Sequence, residues 1–345
     1  MTKHKLQNVV IAIFLAGALC LLVWFNVSKP SILVLQSYDS KYPWSRDLNV
    51  GLNRVLNSPY LYRTRWYYMD TKRHPDVAYK ESVGLAARHM IDNMQPDVII
   101  ALDDDAQQYV ARYYNNHPTI KIVFSGVNRE AADYGYDKAN NVTGILERVP
   151  TKAIQETLQM AANFKALNRP VRLGFLADPS ETVQADLRQV KAYDWGPVQF
   201  TADSTSTTFP QWKEELKRLN KETDIILLSN YRKVRRSDTD KTLVPVREIV
   251  EWTDANSTVP VMSNNGFYTE EGGMLAIGAS PFEQGEVAAR MALEIILKGK
   301  KPTDIPVDRT RHFVVTMNGT KMKAHGLELP MVYEAAARTG DKYIP

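Results

Sequence analysis

The sequence predicts an α/β fold of two lobes, each built on a parallel sheet, behind an N-terminal apolar helix. Three observations predict it. Short, continuously apolar runs such as Ser31-Ile32-Leu33-Val34-Leu35-Gln36 and Asp97-Val98-Ile99-Ile100-Ala101-Leu102 read as strands buried on both faces. Amphipathic stretches of helical period separate these runs, which makes βαβ units. The alternation then restarts after Pro150, and 345 residues leave room for two domains of about 100–200 residues each.

From the N-terminus, Lys3, His4 and Lys5 precede an uncharged apolar run from Val9 to Phe25. That length is close to the ~20 residues a helix needs to cross a bilayer, and basic residues ahead of it predict an N-terminus in the cytoplasm and everything after Lys29 outside. The run ends without an Ala-x-Ala-like cleavage site, and Trp24 and Phe25 suit a membrane interface. Residues 1–30 therefore read as an uncleaved anchor in preference to a cleaved signal. Lipidation at Cys20 is disfavoured by Leu19, where a small residue would be needed.

Helical spacing of Trp44, Leu48, Leu52, Val55 and Leu56 follows the first strand. A strand over Tyr62–Met69, a helix over Asp76–Met94, the strand at Asp97–Leu102, a helix over Ala106–Tyr114 and a strand over Ile120–Phe124 come next. In the second half the pattern predicts a helix over Thr151–Phe164 and a strand over Val171–Leu176. A helix start follows at Asp178-Pro179-Ser180-Glu181, with Asp178 as cap. Further along come a strand over Val198–Thr201, a helix over Pro210–Asn220 and a strand over Asp224–Leu228. A helix over Val246–Asp254, a strand over Val259–Met262 and a helical stripe from Val287 to Ile296, closed by Gly299, complete the pattern.

Hydrophobic residues at 44% and charged residues at 24% exclude wholesale disorder. The net charge of +4 is spread along the chain and gives no electrostatic case for nucleic acid. A single cysteine excludes an internal disulfide and a cysteine zinc cage. The six histidines show no ligand spacing, so no metal site is expected.

Several segments, in order, resemble one family. They are Ile32-Leu33-Val34-Leu35-Gln36-Ser37-Tyr38 with Tyr42-Pro43-Trp44, Leu102-Asp103-Asp104-Asp105-Ala106, Val123-Phe124-Ser125-Gly126-Val127-Asn128 and Asn141-Val142-Thr143-Gly144. Later come Gly273-Met274-Leu275-Ala276-Ile277-Gly278, Glu283-Gln284-Gly285, Ile296-Leu297-Lys298-Gly299-Lys300-Lys301-Pro302 and a tail ending in Lys323-Ala324-His325-Gly326-Leu327. Together, from Ile32 to Pro330, they resemble the ABC-transporter substrate-binding family that includes tryptophan- and tyrosine-type binding proteins. The opening segments are also similar to extracellular sensor domains of bacterial histidine kinases. The resemblance implies the type 1 periplasmic-binding-protein fold, with two Rossmann-like lobes hinged over a ligand. It puts three crossings near Gly144, Gly278 and Ile305. Lobe 1 would then be 31–144 plus 279–305, and lobe 2 would be 145–278 plus 306–345. It also implies a place on the periplasmic side of a bacterial envelope, held to the inner membrane by the N-terminal helix.

In parallel α/β sheets ligands sit beyond the carboxyl ends of the strands. The candidate contacts there are Gln36, Ser37, Tyr38, Trp44, Asp103, Asp104, Ser125, Gly126, Asn128, Ser229, Asn230, Tyr231, Asn264 and Asn265. Hydroxyl, amide, acidic and aromatic groups of this kind orient a small polar solute. Such residues are also ordinary helix caps, and Asp105 and Asp178 are assigned that role. Trp44 fits a core position at least as well as a ligand contact, and the basic cluster Arg232, Lys233, Arg235 and Arg236 reads as a solvated loop.

No nucleophile elbow, zinc-protease helix or phosphate-binding loop is present, so neither an enzyme nor a cofactor is expected. The function expected is capture of a small polar, amino-acid-like or amine-bearing metabolite for an ABC permease. The alternative is a tethered sensing module that signals to a sensor kinase or a cyclic-di-nucleotide enzyme.

Overall fold

The computed structural model describes residues 3–58 and 60–345, so the first two residues of the expected anchor lie outside the described ones. Helix α1 (Lys3–Ser28) contains the apolar run. Its segment Val10–Ser28 has a mean hydropathy of 2.5 and none of it is buried, so it is long and apolar enough to cross a membrane. Only Lys29 and Pro30 separate it from β1 (Ser31–Gln36). The Arg63 guanidinium donates to the carbonyls of Val27 and Lys29 at 3.3 and 3.4 Å, which ties the end of α1 to the neighbouring strand.

The chain then winds through α2 (Pro43–Val55), β2 (Arg63–Tyr68), α3 (Val77–Met94), β3 (Val98–Leu102), α4 (Asp103–Tyr109), β4 (Lys121–Val127) and β5 (Val142–Leu146). The second half follows as α5 (Thr151–Met160), α6 (Ala162–Lys165), β6 (Val171–Ala177), α7 (Glu181–Ala192), β7 (Val198–Thr205), α8 (Phe209–Glu222), β8 (Ile225–Leu228), α9 (Val246–Asn256), β9 (Val261–Ser263) and β10 (Leu275–Ala279). It ends with α10 (Pro281–Lys298), β11 (Asp308–Arg309), β12 (Phe313–Asn318), α11 (Gly319–Ala324), α12 (Met331–Thr339) and β13 (Tyr343–Ile344).

Two sheets result. The first runs β11-β5-β4-β3-β1-β2 and is parallel throughout. The second runs β13-β12-β10-β9-β8-β6-β7 and is parallel except where β12 lies antiparallel to β10. This is the periplasmic-binding-protein fold that the sequence predicts. In each sheet the first strand sits between the second and third, the order that creates a crevice where the chain reverses direction across the sheet. Side chains of β1 alternate between two cores: Ile32 and Val34 point to one face, Leu33 and Leu35 to the other. That two-sided burial is why the run reads as continuously apolar.

The chain leaves the first sheet after Leu146, returns through Ser280 into α10, and leaves it finally after Arg309. Strands β5 and β11 thus carry the first sheet a few residues past the boundaries expected at 144 and 305. The crossings are knitted together at the start of α10. The Gln284 amide donates to the Thr310 hydroxyl at 3.1 Å, and the Glu283 carboxylate accepts from the backbone N–H groups of Arg311 and His312 at 3.0 and 2.9 Å.

Local differences from the sequence pattern have physical causes. The helix expected from Ala106 begins at Asp103 and breaks at Val110 into a 3₁₀ turn over Ala111–Tyr114. Asp105 does not cap it: the Ser37 hydroxyl takes the Ala106 N–H at 2.7 Å, while Asp105 pairs with Lys80 at 2.9 Å. Asp178 likewise does not cap α7, which starts at Glu181. Its carboxylate instead takes the N–H groups of Ser180 and Lys233, both at 2.9 Å, and binds the turn after β6 to the loop after β8.

Helices α2 and α10 cross closely because each offers a glycine. A Cβ on Gly285 would meet the Leu48 carbonyl oxygen at 2.2 Å, and one on Gly51 would meet the Phe282 carbonyl oxygen at the same distance. Backbone cannot yield as a side-chain tip can. Gly285→Ala is therefore expected to lower stability by about 1–3 kcal/mol despite its better helix propensity, read as a reduced urea midpoint. An unchanged midpoint would show that the two helices can separate freely.

Candidate ligand-binding site

A small cavity lies where the carboxyl ends of the two sheets face each other, the edge at which parallel α/β sheets take ligands. From the first sheet come Tyr38 after β1, Tyr42 and Trp44 at the start of α2, Lys72 after β2, Asp103 after β3, Asn128 after β4 and Glu147 after β5. The second sheet supplies Thr182 and Asp186 on α7, Ser229 and Asn230 after β8, and Asn265 and Phe267 after β9. Each lining residue thus follows the end of a strand or sits on the first turns of the next helix. Parallel strands dictate this placement.

Asp103 is the least exposed of the acids that line the cavity, 3% exposed, with a φ of +65°. Outside glycine that conformation is seldom used, though Asp and Asn tolerate it best. Its Oδ1 accepts the Trp44 indole N–H at 2.9 Å, and its Oδ2 is buried without a partner. Gly126 makes the position possible, since a Cβ there would lie 3.0 Å from Oδ1. Burial, and after it the nearby Asp104 charge, pushes the Asp103 carboxyl well above its ordinary range. Burial does the same to Glu147, reinforced by Asp186 and Asp103. Asp186 is pushed up to about 6 by burial, held back by the Ser229 hydroxyl and the Asn264 amide, which donate to its Oδ2 at 2.7 and 2.9 Å.

Lys72 places its ammonium 4.8 Å from the Tyr38 ring centre and 5.5 Å from that of Tyr42, and burial draws its pKa down. Tyr38, Tyr42 and Phe267 pack edge to face or tilted, with centroids 5.2 and 5.7 Å apart along the row. The Arg232 guanidinium covers Tyr42 and Phe267 and bonds to Glu271. It is therefore placed beside the cleft, not on the solvated loop expected from sequence.

Of the sequence candidates, Tyr38, Trp44, Asp103, Asn128, Ser229, Asn230 and Asn265 line the cavity. Trp44 is core and cavity wall at once. The others support from behind. Gln36 binds Asn49, and Ser37 spans β3 and α4. Asp104 accepts from the Tyr134 hydroxyl at 2.7 Å and from the N–H groups of Asn128 and Arg129 at 3.2 and 3.3 Å, which seals the turn after β4. Ser125 and Gly126 bind Gln284. Tyr231 bonds to Glu271, and Asn264 holds Asp186. Sequence reasoning passed over Tyr42, Lys72, Glu147, Thr182, Asp186 and Phe267. Lys72 and Glu147 each follow a strand end and were within reach of the same rule. Asp186 lies a turn and more inside a helix and carries no such signal.

At the rim, charges bridge the halves. Glu270, in the loop after β9, takes Arg46 of α2 at 3.1 Å and Lys342 at 2.8 Å, and Lys342 also reaches Asp47 of α2 at 3.0 Å.

Residues 232–338 match the family model of ABC transporter substrate binding proteins. The resemblance read from the sequence is borne out. No curated protein matches the sequence. Among solved structures the chain is similar to a conserved domain protein from Vibrio cholerae O1 biovar El Tor (TM-score 0.64, 16% identity, 90% of this chain and 98% of that one). It is similar to an ABC domain in complex with L-Trp from Streptococcus pneumoniae (TM-score 0.63, 16% identity, 91% and 100%). A third is the ligand-free, open form of CD0873 from Clostridium difficile, a substrate-binding protein with adhesive properties (TM-score 0.62, 16% identity, 87% and 96%). At such identities these likenesses establish the fold.

Two expectations follow from the geometry. Asp186 holds its proton to about pH 6 in the folded chain but only to ~3.9 when unfolded, so its favourable contribution is full below pH ~4 and is lost as pH rises through about 6. Asp186→Asn should gain stability over the parent by up to about 3 kcal/mol between pH 4 and 7, followed by urea denaturation; a pH-independent difference would refute it. Glu270→Gln removes about 1 kcal/mol of partly exposed pairing, so the share of open molecules should rise about fivefold, seen as a larger radius of gyration in X-ray scattering. An unchanged radius would show that the rim charges do not hold the halves together.

Proposed function

We propose that the protein is an extracytoplasmic solute-binding protein. It captures a small amine-bearing, amino-acid-like metabolite between its two lobes and presents it to an ABC-type importer, with α1 holding it to the cytoplasmic membrane. The observation that carries this reading is the unpartnered, buried Oδ2 of Asp103 at the floor of an aromatic cavity. A buried carboxylate oxygen without a donor is costly, and an ammonium group supplies both the charge and the hydrogen. Tyr38, Tyr42, Trp44 and Phe267 favour a cation flanked by hydrocarbon. A ligand that contacts both lobes binds the closed form better than the open one, which is what shifts the population toward closure.

A second reading, tethered sensing, is favoured by the two-residue joint between α1 and β1, which couples the first lobe stiffly to a membrane helix. The two readings share the same ligand step.

Thermal denaturation in the presence of amino acids, amines, nucleosides and sugars tests that step. An amine at 100 times its dissociation constant should add about 2.7 kcal/mol. Asp103→Asn should abolish the gain while leaving cooperative unfolding, since Asn tolerates the positive φ that Ala would not. Stabilisation by sugars or by carboxylates without amines would overturn the amine reading.

A further inference from the structure

We propose that the ligand of this cleft is a short linear dication, a diamine, with one ammonium group held by Asp103 of the first lobe and the other by Asp186 of the second. The proposal rests on the amine-binding reading above and narrows it.

The charge lining the cavity is unbalanced. Asp103, Glu147 and Asp186 face it with Lys72 as the cation among its lining residues. Arg232, stacked just outside, is matched by Glu271. Around the site Asp105 is matched by Lys80, while Asp104 is held by neutral donors and backbone N–H groups. Three acidic groups against one basic group give the lining two more acids than bases, which a dicationic occupant would match.

The acids are also disposed for two separate groups. Asp103 has Oδ1 fixed by Trp44 and Oδ2 open, whereas Asp186 has Oδ2 occupied by Ser229 and Asn264, and no hydrogen bond reaches its Oδ1 among the described residues. The two acids stand on opposite lobes and each presents a free oxygen, so an occupant that extends from one lobe to the other meets both. The aromatic rings that line the same cavity accept a hydrocarbon chain. A free α-carboxylate fits this arrangement poorly on the second lobe. The Ser229 hydroxyl and the Asn265 amide already donate, to Asp186 and to the Ser229 carbonyl, and Asp186 would repel it. Burial raises the pKa of all three acids; entering ammonium groups lower it again, so any proton an acid still holds is released to the buffer.

Calorimetry on the full chain in detergent decides between ligands. The probes are 1,4-diaminobutane, 1,5-diaminopentane, butylamine, L-lysine and L-tryptophan, each measured in two buffers of different ionisation enthalpy. A diamine should bind about tenfold or more tighter than butylamine, as a second charge-assisted contact implies, with buffer-dependent heat reporting proton release. Asp186→Asn should weaken the diamine far more than butylamine and bring it down to about the affinity of butylamine. Binding of butylamine or of either amino acid at least as tightly as the diamines would overturn the dication while leaving amine capture standing. Failure of every amine to bind would overturn both. If Asp186→Asn does not fold, the ranking on the parent protein alone decides.

Discussion

Every strand of a parallel sheet delivers its carboxyl end to the same edge, and every helix that follows starts there with unsatisfied N–H groups. Two such edges facing each other make a region where apolar side chains cannot close the core, because the backbone turns require polar partners. This constraint governs the rest of the molecule. It explains why Ser37, Asp104 and Asp178 are buried yet committed to loops and helix starts. It also leaves a few acids with capacity to spare. Asp103, on a strained backbone and oriented by one indole N–H, is the clearest case.

The opposite edges of the sheets, and the helices on their faces, are ordinary close packing. The α2–α10 contact, with Gly51 and Gly285 against opposing carbonyls, packs two helices of the first lobe backbone to backbone. Helix α10 comes to it from between β10 and β12 of the second sheet. It also carries Glu283 and Gln284, which hold the crossing segments near Thr310 and His312, so these segments are tied to the α2–α10 pair. In the clamshell function proposed above, motion between the halves would come from the crossing segments, with the Glu270–Lys342–Asp47 group as a weak clasp at the rim.

Much of this architecture was legible because its strands are buried on both faces. Ile32–Leu35, Val98–Leu102 and Ile225–Leu228 are apolar without alternation, and their spacing announces parallel units. What pattern could not show was β12, whose antiparallel pairing with β10 depends on a return of the chain and not on its composition. The break of α4 at Val110 was equally hidden. For the cleft, the rule that strand ends gather ligands located Tyr38, Asp103, Asn128, Ser229 and Asn230. It could not separate Asp104, consumed by Tyr134 and two N–H groups, from Asp103, since adjacent identical residues differ only in the direction their side chains take. Asp186 is brought to the cavity by the pitch of α7, a matter of tertiary placement.

The two-residue joint between α1 and β1, buttressed by Arg63 on the carbonyls of Val27 and Lys29, has a mechanical meaning. In the membrane-held protein proposed above, a tether that short would leave little freedom to swivel, and the apolar helix would follow the first lobe. The second lobe would then be the moving jaw of a fixed vice, and its travel would occur at a set height and bearing above the bilayer instead of anywhere within the radius of a leash.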